Sequence, residues 1–132
     1  MSCSAAIYAA NTNPQELEIG DIINFGSIVR RFGSALNLSG GNVVINGTGY
    51  YDIDANINIT GTGTGVVTIR LYKDGVPITG AMANVGTASG TRHSISIPAI
   101  VRERCCCESV ITAVVSGTAC TVEDAAIVVA KI

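Results

Sequence analysis

Residues 50–60, YYDIDANINIT, constrain this chain more than any other stretch. Tyr51, Ile53, Ala55, Ile57 and Ile59 occupy alternate positions, with Asp52, Asp54, Asn56 and Asn58 between them. Successive side chains of an extended backbone point to opposite faces, so a sustained period of two predicts a strand. One apolar face and one polar face predict an antiparallel strand buried on one side only.

The rest of the chain repeats this logic. No apolar stripe at i, i+3, i+4, i+7 is long enough for a helix. Short β-prone runs fall instead at 5–10, in two pieces of 16–32 broken at Gly20 and Gly26, and at 35–38 and 42–45. Others follow the strand at 50–60, at 66–73, 76–83, 92–103, 109–116 and 120–132. Asp74-Gly75, set between two apolar runs, predicts a two-residue hairpin turn. Pro77 lacks an N–H, which puts the returning strand at a sheet edge or near its own start. Eight to ten short antiparallel strands, closely spaced, predict an all-β sandwich or barrel. The 132 residues suit a single domain spanning 1–132, of about the usual 100–150 residues.

Composition narrows the function classes. Only 14% of residues are charged, net charge is −2, and Arg30-Arg31 is the one dense basic spot. Nucleic-acid binding therefore has little support. No run approaches the roughly 20 apolar residues of a membrane-spanning helix, so no membrane partner is expected. The start of the chain has neither a basic segment nor the apolar stretch of a secretion signal, which predicts synthesis in the cytoplasm. Strands at 109–116 and 125–130 are apolar at nearly every position. Since one sandwich core covers only one face, their other face predicts burial against copies of the same chain.

The motif order GYYDIDANINIT, VVTIRLYKDGVPITGAMA, SISIPAIV, VITAVVSG, AAIVVAKI resembles the tumour-necrosis-factor-like and complement-head-like jelly roll. Its members include the carboxy-terminal domain of spore-surface collagen-like glycoproteins. The resemblance covers about residues 42–132 and rests on a Tyr-x-Ile strand, the hairpin LYKDGVPITGA, and a last strand packed beside the first. Residues 5–42 and RERCCCE resemble small proteins of gut Firmicutes and their phages. In viruses this fold commonly serves in head decoration and fibre tips. The resemblance implies a jelly-roll β-sandwich and a homotrimer, with Tyr50, Tyr72, Val114 and Val128 as interface candidates. Tyr72 equally suits a role covering its own hairpin. Where the family usually carries a Gly-Asp pair this chain has ERCCCES, so that loop's role is not carried over.

Three features invite chemistry. Cys105, Cys106 and Cys107 stand in a row, and read as a strand they put Cys105 and Cys107 on one face. Packing of small buried thiols is the main expectation; a disulfide between strands or subunits is a second. A metal site on Cys105 and Cys107, joined by Cys120 or Cys3, is a third, although C-C-C is not zinc-finger spacing. His93 is the lone histidine and stands at a Ser/Thr-rich loop-to-strand junction with no nucleophile motif around it. The D-x-D-x-N run lacks the Gly and Glu of a calcium loop, having Ile57 and Gly63 at those places, and reads as a solvated strand face. A cation held between subunits stays open as an alternative. GTGTG at 61–65 leads into a strand, not a helix, and reads as a loop at one end of the sandwich. Arg30 and Arg31 are docking candidates for a neighbour's carboxylate. An ion pair with Glu16, Glu18 or Asp21 of the same chain is the simpler expectation.

No catalytic residue, cofactor or enzymatic activity is expected. The preferred reading is a structural virion protein, a trimeric capsid decoration or head-fibre module of a bacteriophage. Its partner would be the major capsid protein or another virion protein, with residues 1–34 available for docking or subunit contacts. The alternatives are a bacterial or spore-surface adhesion module that recognises glycan or protein, and a thiol enzyme.

Overall fold

In a computed structural model, residues 5–104 and 107–132 are described. They form two antiparallel sheets packed face to face as a jelly-roll β-sandwich. The strands are β1 (Ala6–Asn11), β2 (Gln15–Leu17), β3 (Ser27–Phe32), β4 (Leu36–Ser39), β5 (Asn42–Ile45), β6 (Gly49–Gly61), β7 (Gly65–Lys73), β8 (Val76–Thr87), β9 (Arg92–Glu103), β10 (Ser109–Ser116) and β11 (Cys120–Lys131). The first sheet runs β3-β1-β11-β6-β9, with β2 also paired to β11; the second runs β4-β5-β10-β7-β8. The last strand pairs with the first, Ala6 opposite Ala130 and Tyr8 opposite Val128. No helix among the described residues is long and apolar enough to cross a membrane.

Alternation in β6 works as its sequence predicts. Tyr51, Ile53, Ala55, Ile57 and Ile59 are wholly buried between the sheets, while Asp52, Asp54 and Asn56 are exposed. The second sheet closes the core with Val67, Ile69, Leu71, Ile111, Ala113 and Val115. Tyr51 is the largest buried side chain, and its hydroxyl donates to Gly47 O at 2.7 Å, so its one polar atom is satisfied. The β7–β8 hairpin turns at Asp74 and Gly75, with φ of 52° and 78°. Positive φ at both central residues gives the turn whose twist matches the strands it joins. Asp74 Oδ1 also accepts from Val110 N at 2.9 Å, which ties the turn to β10. Pro77 lies at the start of β8, an edge strand.

Two sequence expectations need correction. Among the described residues the strands number eleven rather than eight to ten. The stretch 16–32 gives two short strands, β2 and β3, with Gly20 and Gly26 in the segment that separates them. Between β2 and β3, both in the first sheet, the chain passes along β10 of the second sheet and returns, and Ile23 and Phe25 fill the core on the way. This crossing segment continues the place of β5 along β10: Gly20 N donates to Val115 O at 2.7 Å and Ile23 N to Ala113 O at 2.8 Å. Gly26 ends it with φ 78°, and a Cβ there would press on Ala10 O. Lastly, Cys107 lies outside any strand and is exposed, so it is not a space-filling core thiol within the single chain. Cys105 and Cys106 lie outside the described residues. Cys120, at the start of β11, is buried and free, and burial raises its thiol pKa.

Candidate functional site

Side chains of register partners in adjacent strands stand on the same face. On the outward face of the first sheet, one row runs Arg30, Tyr8, Val128, Asp54, Pro98 across β3, β1, β11, β6 and β9. The next row runs Phe32, Ala6, Ala130, Asp52, Ile100. Residues that sequence alternation places outward are here large and apolar: Tyr8 is 40% exposed, Val128 41%, Tyr50 52%, Phe32 59% and Ile100 63%. Alanines 6, 10, 126 and 130 keep the middle of the sheet low.

Two apolar spots result, with acid between them. Near β3, Ala6, Tyr8, Phe32 and Val128 line a hollow of about 180 Å³ with Arg30 and Arg31 at its rim. Near β9, Ile100 and Tyr50 stand beside Arg102, whose guanidinium lies 5.8 Å from the Tyr50 ring centroid. Asp52 and Asp54 run between the two spots. Contiguous exposed apolar residues rimmed by charge mark a contact surface more often than a wetted one.

The expected ion pair of Arg30 or Arg31 with Glu16, Glu18 or Asp21 is absent among the described residues. Arg31 Nε donates instead to Leu36 O at 2.6 Å, which ties β3 to β4, and Arg30 joins no ion pair among the described residues. The one ion pair among the described residues joins Lys73 Nζ to Glu103 Oε1 at 3.8 Å. Glu103 is only 2% exposed; the burial of Tyr51 itself, and secondarily the charge of Glu103, raise the Tyr51 pKa.

The four interface candidates divide between opposite faces. Tyr50 and Val128 lie on the outward face just described. Tyr72 and Val114 lie on the outer face of the second sheet, where both are half-buried and Val114 bridges to Ile22. His93 is the second residue of β9, at the loop-to-strand junction, and its Nε2 is buried with no hydrogen-bond partner among the described residues. It lines a shallow cavity of about 360 Å³ with Asn58, Arg92, Ser94, Glu123 and Asp124. There Asn58 Nδ2 donates to Asp124 Oδ1 at 2.5 Å and Thr60 Oγ1 to Glu123 Oε1 at 2.8 Å. No cluster of three or more His, Cys, Asp or Glu among the described residues is placed to hold a metal ion.

Tyr8, Phe32, Asp54 and Ile100 escape a reading by sequence. Alternation in AAIYAA and SISIPAIV does set Tyr8 and Ile100 apart from the inward positions. Only register shows that they share one surface.

No family model matches the chain, and no curated protein does. Solved structures do. Eiger TNF from S. frugiperda superposes with a TM-score of 0.72 at 10% identity, covering 98% of this chain and 92% of that one. PRD1 vertex protein P5 gives 0.66 at 12% identity, covering 100% and 99%. The globular domain of zebrafish complement 1qA protein gives 0.65 at 10% identity, covering 94% of each. At such identities the likeness is one of backbone path, and it extends over nearly the whole chain, including the crossing between β2 and β3. The chain has the tumour-necrosis-factor-like, complement-head-like jelly-roll fold.

Proposed function

We propose that this chain assembles as a homotrimer and acts as a structural virion protein, a capsid-decoration or head-fibre module of a bacteriophage. The observation that carries the assembly is the outward face of the first sheet, where Tyr8, Phe32, Tyr50, Ile100 and Val128 are all left open. Covering such a face with identical copies removes apolar surface from water at about 25 cal/mol per Å². The virion role draws support from a neighbour named as a vertex protein, matched over 99% of its solved chain. It also draws on the resemblance of the first residues to phage-encoded proteins. The seat on the particle would be the major capsid protein or another virion protein, with residues 1–34 contributing to docking.

Light scattering on the purified protein at micromolar concentration should give three times the 13.5 kDa chain mass. A single-chain mass would end the trimer reading. Gold-labelled antibody should decorate intact phage particles from the producing host at regular capsid positions. Particles that carry none of the protein would end the virion role.

A further inference from the structure

The turn between β5 and β6 joins an exposed, reactive pair of residues to the centre of the core. It runs through Asn46, Gly47 and Thr48, with Asn46 exposed. Asn46 is the one asparagine of the chain that precedes a glycine; the others precede Thr, Pro, Phe, Leu, Val or Ile. The carboxamide of an asparagine is open to attack by the peptide nitrogen of the next residue. A side chain on that residue hinders the approach, a β-branched one most of all, and glycine has none. Among the described residues Gly47 N donates to no backbone group, and the Asn46 carboxamide makes no hydrogen bond. Asn24, Asn58 and Asn84 have side-chain hydrogen bonds. Asp74-Gly75, the comparable acidic pair, is pinned: Asp74 Oδ1 accepts from Val110 N at 2.9 Å and Asp74 N donates to Val110 O at 3.0 Å. Packing requires the glycine at 47, since a Cβ there would stand 2.9 Å from Ala35 Cβ and 3.0 Å from the Tyr51 hydroxyl oxygen. Gly47 O accepts from that hydroxyl at 2.7 Å, and Asn46 N donates to Ala35 O at 2.7 Å.

We propose that Asn46 is a site of spontaneous covalent modification whose main product unlocks Tyr51. Hydroxide takes the proton of Gly47 N, and that nitrogen bonds to Asn46 Cγ. The Cγ–Nδ2 bond breaks and Nδ2 leaves as ammonia, its third proton coming from water. Water then opens the five-membered succinimide ring in one of two places. Cleavage between the nitrogen and Cγ leaves aspartate at 46. Cleavage between the nitrogen and the main-chain carbonyl carbon leaves isoaspartate, whose main chain runs through Cβ and Cγ. No electrons are transferred and water is the single co-reactant. Either product adds one negative charge to a chain of net charge −2. Isoaspartate alone lengthens the main chain, between the bond that Asn46 N gives to Ala35 O and the one that Gly47 O takes from Tyr51. The wholly buried Tyr51 hydroxyl then loses its acceptor, and a buried donor left without one destabilises the fold. The turn is thus a clock that converts the age of the protein into looser packing.

Purified wild-type protein, aged at mildly alkaline pH and digested, tests the site by peptide mass spectrometry. Amide should become acid at Asn46 at least about tenfold faster than at the exposed Asn37 or Asn56, a ratio that a small difference in barrier supplies. The aspartate and isoaspartate peptides should separate on chromatography. Returned to neutral pH, the aged protein should show a new acidic band and a denaturant midpoint that falls as isoaspartate accumulates. Asn46→Gln lengthens the side chain and disfavours the five-membered ring, so it should keep its band and its midpoint through the same ageing. Asn46→Asp carries the new charge on a main chain of ordinary length, and when fresh it should unfold with the midpoint of fresh wild type. Conversion at another asparagine ahead of Asn46, or none at Asn46, overturns the site. Isoaspartate at 46 with an unmoved midpoint overturns the link to Tyr51, and so does a fresh N46D protein as weak as the aged wild type.

Discussion

The two outer faces of the sandwich treat their polar groups differently. On the second sheet they satisfy one another: Thr68 Oγ1 donates to Asn84 Oδ1 at 2.5 Å, Ser116 Oγ to Thr68 O at 3.4 Å, and the Arg70 guanidinium to Met82 Sδ. Tyr72 and Val114 are half-buried among these contacts. The first sheet behaves this way only at its far end, around Asn58, Thr60, Glu123 and Asp124. Toward its other end Asp52, Asp54 and Arg30 join no ion pair among the described residues, and the apolar side chains between them are open. A face that pairs its own groups gains little from a neighbour. A face that leaves both charge and apolar surface unpaired gains from one that supplies the complement.

Three experiments sharpen or break that contrast. The largest effect belongs to the core, where the two sheets should be alike. Ile57→Ala in β6 and Ile69→Ala in β7 each empty a fully buried site and should each cost about 2–5 kcal/mol in denaturant unfolding. A large cost in one sheet only would mean the asymmetry is internal rather than confined to the outer faces. Next, Val128→Arg puts a charge between Tyr8 and Asp54 and should leave single chains by light scattering, whereas Tyr72→Ala should leave the assembled mass unchanged. The reverse outcome would move the contact to the second sheet.

The smallest effect is alkaline. Tyr51 and Cys120 titrate above their ordinary values of 10.0 and 9.0, burial being the first cause for each. Well below pH 9 both are protonated in the folded and unfolded chain alike, and stability is unaffected. Above it the unfolded chain loses these protons first, so stability falls as pH rises toward the folded-state values. Tyr51→Phe should flatten the part of that fall beginning near pH 10, at the cost of the hydrogen bond to Gly47 O. An unchanged alkaline slope would remove Tyr51 from the account.

Much of the fold is legible in the residues themselves. β9, β10 and the Asp74-Gly75 hairpin come out at their sequence-predicted limits, because alternation and turn chemistry are local. The crossing at 18–26 is not legible: its apolar residues resemble a strand, but their partners lie in β10, almost a hundred residues away. Nor is the contrast between faces. Tyr50 and Tyr72 look equivalent in sequence and lie on opposite sides of the molecule. Asp54 and Arg30 share a surface only because β1 and β11 come between them in register, and no local pattern encodes that.

One feature of the topology bears on how the chain is made. β11 is hydrogen-bonded between β1 and β6, strands that precede it by more than a hundred and by about seventy residues. Until residues 120–131 leave the ribosome, the first sheet lacks its centre, and β1 and β6 wait with their greasy sides open. The nascent protein is thus at its most vulnerable just before synthesis reaches this stretch. Slowing translation there would lengthen that exposure and favour clumping over maturation.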